Sequence, residues 1–84
     1  MSLHLVFCNN GLRSCLRRRD DSEPIILLGD GVYATADKLS NCYYLRDDAE
    51  ARGIATEGKG AILIDYSQMV RLTEQHYPAI NWAD

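Results

Sequence analysis

The chain has 84 residues, of which 46% are hydrophobic and 25% charged, with a formal net charge of −3 and a pI near 5.2. This acidic balance argues against a nucleic-acid-binding surface, and no segment reaches the roughly 18 apolar residues of a membrane-spanning helix. The first residues lack the basic and apolar stretches of a signal peptide. We therefore expect one cytoplasmic domain over residues 1–84, without nucleic acid or membrane as a direct partner.

The first predicted element is a strand from Leu3 to Cys8, an apolar run that ends at the turn residues Asn9-Asn10-Gly11. His4 interrupts this run. We interpret it as a hydrogen-bonded core or interface histidine rather than a catalytic one, because no nucleophile partner lies near it in the sequence.

A short helix is predicted from Gly11 to Arg19, since Leu12, Cys15 and Leu16 form an apolar stripe with helical spacing. The basic run Arg17-Arg18-Arg19 falls at the end of this helix, where the helix dipole favours cations. An isolated triplet of this kind is typical of a solvated helix end. A docking patch for an acidic partner is the alternative.

The middle of the chain predicts two more strands, Ile25 to Leu28 and Cys42 to Leu45. The first is followed by Gly29-Asp30-Gly31, a tight turn without the glycine spacing of a phosphate-binding loop. Asp47-Asp48 is predicted to cap a helix from Ala49 to Arg52, which Gly53 ends. The polar, glycine-rich segment 55–60 that follows predicts an exposed, mobile loop.

The last third predicts a strand from Ala61 to Ile64 that is covered on both faces, because its apolar residues do not alternate with polar ones. Asp65 is the predicted N-cap of a final helix, and Gln68 has the spacing of a capping box. Trp82, beyond the helix, is a candidate packing anchor. The residues with helical spacing are Tyr66, Met69, Val70 and Thr73.

Taken in order, these elements predict an α/β fold with a small four-stranded, mainly parallel sheet covered by helices. In such sheets reactive groups collect at the carboxyl ends of the strands. Four residues fall there: Cys8, Asp30, Asp47 and Asp65. Cap and turn positions explain the three carboxylates better than a cation site does, so we predict no metal and no cofactor.

The cysteines are an odd set, Cys8, Cys15 and Cys42, with no Cys-x-x-Cys pair, which fits neither a disulfide framework nor a zinc site. The arginines of the first helix favour a thiolate at Cys15. Its place in the apolar stripe argues instead for burial and an inert thiol. Cys8, at a strand end, is a second candidate for a reactive thiol, and Cys42 is interpreted as structural.

Several segments match one family in the same order along nearly the whole chain: Leu3-His4-Leu5-Val6, Ser14-Cys15-Leu16, Asp30-Gly31-Val32-Tyr33-Ala34, Tyr44-Leu45, Ala51-Arg52-Gly53, Ile64-Asp65-Tyr66, Leu72-Thr73 and Trp82. On these segments the chain resembles the DsrH/TusB family of small sulfur-relay proteins, which implies a DsrE/DsrF/DsrH-like fold. It departs from the family pattern in a short turn after the first strand and a short segment between Ala34 and Cys42.

The resemblance implies a place in a heterohexamer with TusC-like and TusD-like subunits, which passes persulfide sulfur from TusA-like towards TusE-like proteins. That relay supports 2-thiolation of the wobble uridine in tRNA. Because the relay cysteine of such complexes is on the TusD-like subunit, the resemblance implies a mainly structural or docking role. We expect a chain that is not catalytic alone. For the isolated chain, both a monomer and a homo-oligomer stay open.

Two alternatives stay open at this stage. DsrH-like members serve sulfur oxidation and carry a cysteine in the first helix; Cys15 matches it, which implies a persulfide carrier. An unrelated small-molecule-binding α/β domain would instead need a pocket at the strand ends.

Overall fold

The computed structural model of the chain describes residues 1–34, 39–54 and 62–83. None of the helices in these ranges is long and apolar enough to cross a membrane. The elements are, in chain order, β1 (Leu3–Val6), α1 (Asn9–Arg18), β2 (Ile25–Leu27), a 3₁₀ helix (Gly29–Tyr33), β3 (Cys42–Leu45), α2 (Arg46–Ala51), β4 (Ile62–Ile64), α3 (Tyr66–Gln75) and β5 (Ala79–Trp82).

The described strands form one sheet in the order β4-β3-β2-β1-β5, and every neighbouring pair is parallel. This confirms the predicted α/β class with a parallel sheet and helical connections. The prediction of four strands missed β5. Its four residues are at most half-buried and follow Pro78, so they carry too weak an apolar pattern to indicate a strand.

Each face of the sheet carries its own apolar cluster, because successive side chains of a strand point to opposite faces. Helix α1 contributes to the first cluster, which consists of Val6, Leu12, Cys15, Ile25, Leu27, Ala34, Cys42 and Tyr44, with Leu39 and Trp82 against it. Helix α3 covers the second, which consists of Leu3, Ile26, Leu45 and Ile64, with Leu5, Leu28, Tyr43, Met69 and Leu72 against it.

Helix α1 begins two residues earlier than predicted, because Cys8 is its N-cap and accepts a hydrogen bond from the Gly11 N–H at Sγ, 3.3 Å away. Gly11 lies directly against β5. A Cβ atom at Gly11 would be 2.3 Å from the carbonyl oxygen of Trp82, so any side chain would push the helix off the strand. The close approach therefore sets the position of α1 relative to β5.

Helix α2 also begins earlier than predicted. It spans Arg46–Ala51, and its N-cap, Leu45, makes no side-chain capping bond. Asp48, predicted as part of a cap, lies in the first turn, and its Oδ2 accepts a hydrogen bond from the Gly29 N–H at 2.7 Å. Gly53 follows the helix with a φ of 64°, as the prediction requires. The predicted loop over 55–60 lies outside the described residues.

The prediction that the fourth strand is covered on both faces is wrong. Strand β4 is at the edge of the sheet, and Ile62 is 63% exposed and Leu63 40% exposed. The predicted buried face of α3 is also shifted, since Met69 and Leu72 pack on the core whereas Tyr66 and Val70 are about half exposed. One short helix over an edge strand leaves these side chains uncovered.

His4 connects the first and last strands through side-chain hydrogen bonds. The indole Nε1–H of Trp82 donates to His4 Nδ1 at 3.0 Å, which assigns the imidazole proton to Nε2. Nε2 in turn donates to Glu23 Oε1 at 3.0 Å. His4 is 2% exposed, so the structure confirms it as a hydrogen-bonded core histidine and Trp82 as an anchor on the domain.

Glu23 completes this network from the loop before β2. Its carboxylate also accepts hydrogen bonds from the backbone N–H groups of Asp20, at 3.0 Å, and Ser2, at 2.8 Å. The hydrogen bond from His4, followed by those from Asp20 and Ser2, lowers the pKa of Glu23 from 4.5 to about 2. Glu23 is therefore ionised at neutral pH and favours the folded state in that form.

We expect Glu23→Gln to destabilise the fold at neutral pH, and we expect the difference from the native chain to shrink in acid. Because the pKa of Glu23 is lower in the folded state, its contribution is present above about pH 4.5 and is lost as the pH falls towards about 2. Urea unfolding at several pH values measures this. Glu74→Gln, at an exposed position on α3, is the matched control; equal pH profiles for the two variants would contradict the prediction.

We expect Asp65→Ala to remove the N-cap of α3. Asp65 Oδ1 accepts from the Gln68 N–H at 2.8 Å, and Gln68 Oε1 accepts from the Asp65 N–H at 2.9 Å, which confirms the predicted capping box. Losing such a cap lowers the free energy of unfolding by about 1 kcal/mol. Chemical denaturation checks this against Ser67→Ala in the same turn, for which a comparable loss would contradict the capping role.

Candidate functional site

Cys15, the residue predicted to carry chemistry, lies inside the first apolar cluster and is fully buried. Burial raises the pKa of Cys15 to about 11, because the loss of solvent outweighs the opposing positive charge of Arg19. At neutral pH Cys15 is therefore a protonated thiol in this conformation. Its role as a persulfide carrier stays a prediction, and it requires α1 to open away from the sheet.

The other two cysteines have different surroundings. Cys42 is buried at the start of β3, and burial likewise raises the pKa of Cys42 to about 11. Cys8 is half-buried at the N-terminus of α1, where its sulfur accepts the Gly11 N–H. Of the three thiols, Cys8 has the most solvent access in its present position.

The carboxylates predicted at the strand ends lie in separate local environments. Asp65 caps α3, and Asp30 Oδ1 accepts a hydrogen bond from Arg52 Nε at 3.2 Å. Asp47 is exposed in the first turn of α2. Over the described ranges the structure brings no three of the His, Cys, Asp and Glu side chains into an arrangement that holds a metal ion.

The three consecutive arginines at the end of α1, of which Arg19 is the C-cap, separate into two groups. Arg19 is held by backbone oxygens: its Nε donates to Glu23 at 2.8 Å, and its Nη2 donates to Asp21 at 3.2 Å and to Ser40. Arg17 and Arg18 are exposed and make no hydrogen bond or ion pair with any residue in the described ranges. Arg19 is thus structural, whereas the other two guanidinium groups face solvent.

A cavity of about 300 Å³ lies between the end of α1 and the end of β5, and we call it the α1–β5 cavity. It is lined by Ser14, Arg17, Arg18 and Trp82. The sequence did not predict this cavity, because Trp82 comes near α1 only when β5 pairs with β1 and Trp82 lies opposite Val6. The cavity joins two cationic groups to one aromatic surface, and none of the predicted carboxylates lines it.

A second surface is apolar. The side chains of Ile62 and Leu63 on β4 and of Tyr66 and Val70 on α3 are each 40% exposed or more, and we call them the β4–α3 surface. Ile62 points to the face of the sheet that α3 covers, and Leu63 points to the opposite face, so the surface wraps around the edge strand. Edge strands with exposed apolar side chains are liable to pair with other chains. The arrangement is suited to protein–protein contact.

The chain was compared with protein families, characterised proteins and solved structures. The family described as DsrH like protein matches residues 6–78. Protein TusB of Pectobacterium carotovorum subsp. carotovorum is 32% identical over 94 aligned residues, covering 95% of this chain and 99% of that protein. Protein TusB of Escherichia coli is 36% identical over 78 residues, covering 80% of this chain and 82% of that protein.

The solution NMR structure of protein Tm0979 from Thermotoga maritima has the same fold, with a TM-score of 0.66 and 29% sequence identity. The alignment covers 89% of this chain and 93% of that one. The family match, the identity to proteins named TusB over most of the length and the shared parallel α/β fold agree with one another. This chain belongs to the DsrH-like family.

Proposed function

We propose that the chain is a subunit of a cytoplasmic sulfur-relay complex that supports 2-thiolation of the wobble uridine in tRNA. Membership of the DsrH-like family supports the sulfur-relay assignment. In this complex the chain pairs with TusC-like and TusD-like subunits in a heterohexamer, and it meets TusA-like and TusE-like proteins indirectly. Its own role is mainly structural or docking.

The β4–α3 surface is the observation that carries the docking role. Ile62, the most exposed of its side chains at 63%, lies on β4, which is an edge strand among the described strands. Apolar area removed from water contributes about 25 cal/mol per Å² on burial, so covering these side chains favours association. A small domain gains the most from such contacts, because its own core is limited.

The state of the cysteines supports the same role. Persulfide transfer begins with attack by a thiolate, and the buried Cys15 thiol has a pKa of about 11. A subunit that positions the reactive thiol of a neighbour needs no accessible thiolate of its own. The chemistry is then carried by the TusD-like partner.

The second candidate is a DsrH-like subunit of a sulfur-oxidation complex, with Cys15 as persulfide carrier. In that reaction the Cys15 thiolate attacks the outer sulfur of a donor persulfide, a new S–S bond forms at Sγ, and the donor leaves as a thiolate. The match of Ser14-Cys15-Leu16 to the family context favours this candidate. It needs a motion that moves α1 away from the sheet and exposes Cys15.

We expect the chain to co-purify with TusC-like and TusD-like proteins of the same genome as a hexamer, and we expect Val70→Lys to disrupt that complex. A charge on the β4–α3 surface is costly to bury in an interface. Because Val70 is half exposed, the substitution changes the stability of the isolated chain by no more than about 0.5 kcal/mol. Size-exclusion chromatography of the co-expressed proteins is the measurement.

Gln75→Lys is the matched control, since it adds the same charge to an exposed position on another face of α3. The control should leave the hexamer intact. A native chain that elutes apart from both partners would overturn the docking role. Equal disruption of the hexamer by the two variants would show that the β4–α3 surface is not the docking surface.

We also expect the isolated, folded chain to take up little sulfur at Cys15 from a low-molecular-weight persulfide donor, because the thiol is buried and protonated. Mass spectrometry detects transfer as a gain of about 32 Da, one sulfur atom per persulfide. A gain that is lost in Cys15→Ser and kept in Cys8→Ser would support the carrier candidate instead. Chain unfolded in denaturant serves as the positive control for labelling.

A further inference from the structure

We propose that the α1–β5 cavity, together with Arg13 one turn earlier on α1, binds an acidic peptide segment of a partner protein. A carboxylate of the segment occupies the space between Arg17 and Arg18, and a neighbouring apolar side chain lies against Trp82. The inference deepens the proposed function and rests on it, since it assigns a second docking surface to the same subunit.

The cationic side chains are available for such a ligand. Arg17 and Arg18 are exposed and have no carboxylate partner among the described residues, in contrast to Arg19, which backbone oxygens hold. A guanidinium group binds a carboxylate through two parallel N–H···O bonds. The helix dipole explains cations in the last turn of α1, but it does not explain an adjoining cavity with an indole wall.

The indole of Trp82 is fixed in place before any ligand arrives. Its Nε1–H donates to His4 Nδ1, and its ring lies beside the His4 ring with the centroids 6.1 Å apart and the planes at 27°. A rigid aromatic side chain provides apolar contact area at little entropic cost. The cavity wall is therefore preorganised, whereas the arginines adjust to the ligand.

The spacing of the cations suits an extended chain. Arg13 and Arg17 are four residues apart on α1, which is about 6 Å along a helix axis. Alternate residues of an extended peptide are about 6.6 Å apart. Two carboxylates of an extended acidic segment are thus able to meet two guanidinium groups on successive turns of the helix.

A phosphate or nucleotide fits the cavity less well than a carboxylate. Phosphate sites commonly use the free N–H groups at a helix N-terminus, whereas this cavity adjoins the end of α1 where backbone carbonyls and negative dipole charge lie. A carboxylate carries fewer negative charges than a phosphate group, so the negative end of the helix dipole repels it less.

The experiment uses the single tryptophan of the chain as the reporter. The full chain is titrated with acetyl-Glu-Glu-Leu-Glu-Glu-amide while the fluorescence of Trp82 is recorded, and the neutral peptide acetyl-Gln-Gln-Leu-Gln-Gln-amide is the control ligand. We expect saturable change with the acidic peptide and none with the neutral one. Added salt should weaken the binding, because exposed charges are screened.

The double variant Arg17→Gln, Arg18→Gln should weaken the binding about tenfold or more, since it removes both charge-assisted contacts. Arg71→Gln, at an exposed position on α3, is the matched control and should bind the acidic peptide as the native chain does. Circular dichroism of each variant confirms that it is folded.

No fluorescence change with the acidic peptide, or an equal loss in Arg71→Gln, would overturn the inference. A saturable change with inorganic phosphate or adenosine monophosphate but not with the acidic peptide would overturn it in favour of a phosphate site. Because the assay uses the isolated chain and a synthetic peptide, failure here leaves the hexamer test of the proposed function unaffected.

Discussion

The pairing of β5 with β1 is the constraint on which the rest of the structure depends. Strand β5 brings Trp82 to His4, and the hydrogen bonds from Trp82 to His4 and from His4 to Glu23 connect three separate parts of the chain. The same pairing places the Trp82 carbonyl against Gly11 and so sets the position of α1. The fold is thus organised around its first strand, which has neighbours on both sides.

The two ends of the strand order are covered unequally. Strand β1 has a neighbour on each side, and α1 packs closely on its face, whereas β4 is at the far edge under a helix with no buried residue. Four of the exposed large apolar side chains are on β4 and α3, namely Ile62, Leu63, Tyr66 and Val70. A cavity with cationic groups lies at the opposite end of the strand order, next to β5. One small domain therefore presents two surfaces of different chemistry.

Local signals predicted much of this fold. The apolar run from Cys42 to Leu45 predicted the bounds of β3, and Asp65 with Gln68 predicted the start of α3, because strand pattern and capping depend on neighbouring residues. The family resemblance rested on motifs in the right order. Burial was harder to predict, since the apolar residues Ile62 and Leu63 are exposed by the position of β4 in the sheet.

The candidate site shows the same limit. That Cys15 lies in an apolar stripe was readable from the sequence, but the balance between burial and the charge of Arg19 was not. The division of the arginines into one held by backbone oxygens and two facing solvent depends on loops from distant parts of the chain. The meeting of Trp82 with α1 depends on a strand that has almost no sequence signal of its own.

The place of β5 in the sheet has a consequence for synthesis on the ribosome. It follows every other described strand in the sequence, yet it pairs with the first one, so β1 keeps an unpaired edge until residues 79–82 have been made. Pairing between residues so distant in sequence is slow, and unpaired strand edges in incomplete chains are prone to aggregate. Until Trp82 has been made, Nδ1 of His4 also lacks the indole N–H that donates to it in the folded chain. Until β5 has been made, the edge of β1 that it covers is therefore open to pairing with other chains.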